Sequence, residues 1–137
     1  MSAELHRIFQ QLADALERLR EALAEPVTNS LAIDGTIQRF EFTIELFWKA
    51  LKRLLAYEGI DTSTPRETLQ QAYQAGWLTN ETAWLDMLRD RNQTSHAYDK
   101  ALARQIYERV RVNFPELERA LKTLRLHLPP KDAEPSS

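Results

Sequence analysis

The spacing of apolar residues leaves this chain few ways to fold. Leu5, Ile8, Phe9, Leu12, Leu16, Leu19 and Leu23 recur at helical intervals, which draws one stripe along an α-helix. Ile33, Ile37, Phe40, Ile44, Phe47, Trp48, Leu51, Leu54 and Leu55 form a second stripe. Leu102, Ile106, Val110, Leu117, Leu121, Leu124 and Leu128 form a third. No segment shows the strict apolar–polar alternation of a half-buried strand. Long helices with one apolar face must bury those faces against each other, so the spacing predicts an all-α fold.

Local signals divide the chain. The first helix should stop before Pro26, because the residue preceding proline is disfavoured in α geometry. The second starts at either of two caps, Asp34 or Asn29. The latter leaves Gly35 inside at a cost of about 1 kcal/mol relative to alanine. Gly59 suits a left-handed stop. Thr64-x-x-Glu67 reads as a capping box, with Pro65 at the first helical position, and that short helix should end at Gly76. Asn80 caps a helix carrying Trp84, Leu85 and Leu88. Asp99 caps the last long helix, which Pro115 should bend or split by removing the bond to the Arg111 carbonyl. Pro129-Pro130 ends it. The expected architecture is an antiparallel four-helix-type bundle with an additional short helix, one domain over residues 1–128. A polar tail over 129–137 is expected to be disordered. The stripes are rich enough in Phe, Trp and Leu to serve more than one bundle core, which favours a homodimer. Trp48, Trp77 and Trp84 read as core or interface anchors. His6 and His127, near the ends of long helices, read as surface residues.

Composition removes whole classes of function. With 137 residues the chain is one domain's worth. It has no cysteine, which excludes a disulfide scaffold, thiol catalysis and cysteine-ligated zinc. No HExxH or paired His–carboxylate spacing occurs, so neither a metal nor another cofactor is expected. Three glycines are too few for a Gly-rich phosphate loop. There is no apolar run long enough for a membrane span. The N-terminus does not read as a secretion signal, so a cytoplasmic location is expected. Lys and Arg number 18 against 20 Asp and Glu, a net charge of −2. A broad nucleic-acid binder is normally basic, so no DNA binding is expected and any RNA contact must be local.

One stretch lacks an apolar stripe. Arg89-Asp90-Arg91-Asn92-Gln93-Thr94-Ser95-His96-Ala97-Tyr98-Asp99 lies between two well-formed helices. Its residue types suit phosphodiester chemistry. Histidine is the side chain most easily poised for proton transfer near neutral pH. Arginine offers a planar fork of donors to a phosphate. Arg91 and His96 are five residues apart, so an unbroken helix would splay them by about 140°; they converge if the helix unwinds between them or if their side chains reach a shared cleft. The same residue types near a helix end also serve as capping donors and solvated charge.

Arg91-Asn92-x-x-x-His96-x-Tyr98 resembles the R-x4-6-H motif of HEPN domains, in the R-x4-H-x-Y form of HepT-like toxins. The stretch from Gln38 to Lys49 is similar to the second helix of the nucleotidyltransferase substrate-binding branch of that family. Tyr57-Glu58-Gly59-Ile60, Pro65-Arg66-Glu67, Ala75-Gly76-Trp77 and Trp84-Leu85-Asp86-Met87 fit it too. The resemblance covers roughly residues 3–127 and implies a dimeric helical bundle with two R…H motifs around a shared cleft. It implies metal-independent RNA cleavage. His96 would act as general acid or base, Arg91 would hold the scissile phosphate, and Asn92 would orient the histidine or the phosphate. Arg89 and Lys100 would add RNA or nucleotide contacts. It also implies a partner, an MntA-like minimal nucleotidyltransferase that serves as antitoxin by placing AMP on Tyr98. Two functions from different classes follow. One is the ribonuclease toxin of a HEPN/MNT toxin–antitoxin pair. The other is a non-catalytic nucleotide- or substrate-binding partner of the nucleotidyltransferase. Glu41 and Glu45, four residues apart on the second helix, would either line the cleft or pair with Arg39 and Lys49; the latter, in solvent or at an interface, is the expectation.

Overall fold

The structure, a computed structural model, describes residues 2–131. Five α-helices carry the apolar stripes: α1 (Ser2–Ala24), α2 (Ser30–Tyr57), α3 (Pro65–Gln74), α4 (Glu81–Asn92) and α5 (Lys100–Arg125). A single 3-10 turn, Thr94–His96, joins α4 to α5. There is no strand among the described residues. Of the tail expected to be disordered, residues 132–137 lie outside the described residues.

The caps decide the boundaries. Asn29 caps α2, its side chain accepting from the Ala32 amide at 3.1 Å; Asp34 is therefore left to line a surface hollow, and Gly35 stays inside the helix. Thr64 and Asn80 accept from the amides of Glu67 and Ala83 at the starts of α3 and α4. Asp99 does the same for Ala101 and Leu102. α2 and α3 are both followed by a glycine at positive φ, Gly59 at 89° and Gly76 at 81°. Beyond each glycine an amide reaches back five residues, Ile60 to Leu55 and Trp77 to Ala72, closing both ends as left-handed C-terminal motifs. These bonds turn Ile60 and Trp77 back onto the core.

Pro115 does not split α5, which runs uninterrupted from Lys100 to Arg125. Phe114 and Leu117 on either side of it are buried, and burying such side chains contributes about 1.5–3 kcal/mol each. That anchoring offsets the lost backbone bond. The helix stops at Arg125, before the Pro129-Pro130 pair.

Bonds between helices fix their directions. Arg39 reaches the Arg18 carbonyl and Thr43 the Ala15 carbonyl, so α1 and α2 run antiparallel. Arg20 pairs with Glu118, and His6 hydrogen-bonds the Pro129 carbonyl at 2.7 Å, so α1 and α5 are antiparallel too. His6 is thus half-buried and ties the chain after α5 to α1, a correction to its reading as a surface residue. His127 is exposed but rests its ring on Trp77, with centroids 5.3 Å apart. Trp77 and Trp84 are buried; Trp48 is half-buried, with Lys52 over its ring. α2 touches every other helix. Its Phe40, Phe47, Leu51 and Leu54 meet Phe9 and Leu12 of α1 and Ile106, Leu117 and Leu124 of α5 in one continuous core.

Candidate active site at the end of the fourth helix

α4 continues through Asn92, so the first four residues of the polar stretch are helical. Asp90 extends the buried stripe of Ala83, Trp84 and Met87. After Asn92 the hydrogen bonds shorten their reach. The amides of His96, Ala97 and Asp99 each bond the carbonyl three residues back, at 2.9, 3.1 and 3.0 Å. The break from α to 3-10 geometry therefore falls between Arg91 and His96, so the splay of an unbroken helix does not apply to them. The two side chains make no direct hydrogen bond to each other among the described residues.

α2 supplies the wall beneath this turn. Arg91 forms an ion pair with Glu45. The Thr94 hydroxyl bonds the Glu41 carboxylate at 2.9 Å and the Arg91 carbonyl at 2.8 Å. The expectation that Glu41 and Glu45 pair with Arg39 and Lys49 is therefore corrected. Arg39 is engaged by α1, whereas positions 41 and 45 face the end of α4. Both ends of the Arg91–Glu45 pair remain about one-third exposed (32% and 36%), so a solvent-borne phosphate can compete for the guanidinium.

The remaining motif residues face solvent. Asn92 is exposed, its amide oxygen 3.5 Å from the Arg91 guanidinium. His96 is exposed and sets its ring edge-on to Tyr98, with centroids 6.1 Å apart. Tyr98 is 83% exposed, so its ring is not packed on the bundle. Arg89 is turned toward Asp86 on its own helix. Lys100 is exposed at the start of α5. A hollow of about 260 Å³ between Asp34, Gln38, Glu41, Thr94 and Tyr98 adjoins the turn. A larger one of about 640 Å³, between α1 and α2 around Arg18, Gln38, Arg39 and Phe42, includes none of the motif residues.

Sequence reading missed the pair that ties α4 to α5. The Asp90 side chain is 4% exposed. The Arg109 Nε lies 3.0 Å from both of its oxygens, and a second guanidinium nitrogen lies 2.8 Å from one of them. The hydrogen bond to Asp90 pushes the Arg109 pKa up. The available signal was an acid on an apolar stripe, since a buried carboxylate requires a cationic partner. Arg109 extends the stripe of Ala103, Ile106 and Val110 in the same way.

This surface offers a guanidinium, an imidazole and a phenol on one turn, backed by two carboxylates. Among the described residues no three His, Asp or Glu side chains converge as metal ligands do. Known proteins resemble this one in both sequence and fold. A Haemophilus influenzae protein named probable ribonuclease HepT is 27% identical over 115 residues, spanning 80% of this chain and 79% of that one. A crystal structure of a Thermus thermophilus protein superposes with a TM-score of 0.78 at 34% identity, covering 83% of this chain and 98% of that one. A Haemophilus influenzae structure, described as having the fold of a substrate binding domain of a nucleotidyltransferase, superposes with a TM-score of 0.67 at 28% identity. It covers 91% of this chain and 99% of that one. Residues 7–126, which run from the first turns of α1 to the end of α5 and include the whole Arg91–Tyr98 turn, match the nucleotidyltransferase substrate binding protein like family, and the chain belongs to that family.

Proposed function

We propose that this protein is a HEPN ribonuclease, the toxin of a toxin–antitoxin pair, cutting RNA without a metal in the cleft of a homodimer. The observation that carries the reading is the helix break between Arg91 and His96, which presents both side chains beside an open, solvent-facing turn. The resemblance to a probable ribonuclease points the same way. In the reaction, the ribose 2′-oxygen attacks the adjacent phosphorus and the bond from phosphorus to the 5′-oxygen breaks. The products are a 2′,3′-cyclic phosphate and a 5′-hydroxyl. His96 moves the proton, accepting it from the 2′-hydroxyl or delivering it to the leaving 5′-oxygen. Arg91 exchanges Glu45 for the phosphate and stabilises the charge that develops there. Asn92, against the guanidinium, orients it. Arg89 and Lys100 add contacts to the strand. Phe42 and Leu31 on α2 are 63% and 76% exposed; they favour a second copy docking along α2.

The partner is a minimal nucleotidyltransferase of the MntA-like kind, which joins AMP to the Tyr98 hydroxyl. The 83% exposure of Tyr98 leaves it open to an enzyme. An anionic nucleotide two residues from His96 would block the turn and occupy Arg91. The second reading is a non-catalytic subunit that presents a substrate to the nucleotidyltransferase. The family description favours it, and so does a guanidinium already neutralised by Glu45. The separating experiment is RNA cleavage in EDTA, wild type against His96→Ala, with protein whose mass shows no added AMP. Cleavage lost in the variant supports the ribonuclease. Intact RNA with the unmodified dimer supports the binding subunit.

A further inference from the structure

A second hollow, of about 480 Å³, adjoins the one beside Thr94. The two share Asp34, Ala97 and Tyr98 as lining, so they meet at the exposed tyrosine beside the Arg91 turn. The second hollow lies where the α1–α2 connection meets the start of α5. Its volume is within the roughly 300–1,000 Å³ of small-ligand clefts. Val27 and Ile33 give it apolar surface, and Lys100 and Arg104 give it two cations. Lys100 has no carboxylate partner among the described residues. Arg104 meets Glu108 only at 3.9 Å, with both side chains about half exposed. The helix ends beside the hollow already have their caps, Asn29 and Asp99, so the anion-binding groups here are the two side chains.

Apolar surface, two loosely held cations and one carboxylate in a cleft of this size match a nucleotide. We propose that this groove holds one nucleotide of the single-stranded RNA, next to the scissile phosphate. Its base or ribose lies on Val27 and Ile33, and its phosphate on Lys100 and Arg104. Asp34 accepts a hydrogen bond from a ribose hydroxyl or a base amino group. Tyr98, between the two hollows, sits where successive bases pass and offers a stacking face. The proposal rests on the ribonuclease reading for the identity of the strand.

The test measures binding of a fluorescent decauridylate by the full chain carrying His96→Ala, which keeps the RNA intact. Lys100→Glu with Arg104→Glu is compared with Arg111→Glu and Lys122→Glu, an equal charge change elsewhere on α5. The expected result is at least a tenfold loss of affinity for the first pair and less than threefold for the control. The slope of log affinity against log salt should fall by about 0.7 for each phosphate that is no longer neutralised. Equal losses in both pairs, or none in the first, overturn the groove. A third arm uses AMP at millimolar concentration. AMP shifting the amide signals of the groove, while the first pair leaves RNA affinity unchanged, assigns the groove to a free nucleotide and overturns it as an RNA subsite. The two readings fail separately. RNA binding that depends on Lys100 and Arg104 in a wild-type protein that cuts nothing keeps the groove and removes the ribonuclease. Cleavage that needs His96, with binding indifferent to the groove, does the reverse.

Discussion

Removing Arg109 should destabilise the protein more than removing its partner. The Asp90 side chain is 4% exposed and that of Arg109 is 42% exposed. Arg109→Leu strands a buried carboxylate with no cation, a loss of about 3–5 kcal/mol. Asp90→Asn keeps the size and removes the negative charge. The guanidinium left behind turns its exposed part to water, so the cost is that of weakened charge-assisted hydrogen bonds, about 1.5–3 kcal/mol. Asp90→Leu with Arg109→Leu leaves no buried charge and should cost less than Arg109→Leu alone, with a coupling of about 1–3 kcal/mol. The hydrogen bond to Asp90 raises the Arg109 pKa. A raised group contributes stability that is fully present below its unfolded value and lost only as pH rises through the folded one. Both values lie far into alkali, so the cost of Asp90→Asn through Arg109 should be the same at pH 6 and pH 8. Urea unfolding followed by circular dichroism reads these three variants and Asp90→Leu alone, at one protein concentration because association shifts apparent stability. Arg109→Leu costing no more than Asp90→Asn, or a double variant costing the sum of the two single leucine variants, would refute the reasoning.

Three further outcomes follow from the same geometry. Glu45→Gln removes the carboxylate that competes for Arg91, so RNA affinity in the His96→Ala background should rise a few-fold; unchanged or weaker affinity in an anisotropy titration contradicts that role. Asp99→Ala removes the cap that accepts from Ala101 and Leu102 and should cost about 1 kcal/mol in urea unfolding. Pro115→Ala restores a donor to the Arg111 carbonyl at an exposed position inside the helix and should stabilise the fold by about 1–2 kcal/mol, less than the full proline penalty of about 3 because the unfolded chain also gains freedom; an unchanged urea midpoint would mean that the helix has already adapted around the proline.

The helices were legible because their signals are local. Stripe spacing, the capping residues Asn29, Thr64, Asn80 and Asp99, and the glycines at 59 and 76 each act within one or two turns of chain. What failed depends on which helix lies opposite. Whether Pro115 splits α5 is decided by the packing of Phe114 and Leu117 on other helices, a tertiary effect that outweighs one missing bond. The partners of Glu41 and Glu45 are likewise tertiary, since nothing in their spacing says that α4 ends over that face of α2. His6 illustrates the same limit, because its Pro129 partner is distant in sequence. The motif residues could be named from the chain, and a break between Arg91 and His96 was one of the two ways it left for them to converge. The Asp90–Arg109 pair beneath them was hidden in a stretch read as having no stripe. Two charged residues on helical stripes are weak signals until the facing stripe is known.

The most direct test of a metal-free Arg91–His96 site uses one RNA of defined sequence in EDTA. Cleavage ends are identified first, and the substrate is then remade with a single 2′-deoxy nucleotide at the cleaved bond. Attack by the neighbouring 2′-oxygen predicts 2′,3′-cyclic phosphate ends, loss of cleavage at the substituted bond alone, and loss at every bond in His96→Ala. Cleavage that persists at the deoxy position, or that continues undiminished in His96→Ala protein, would contradict it.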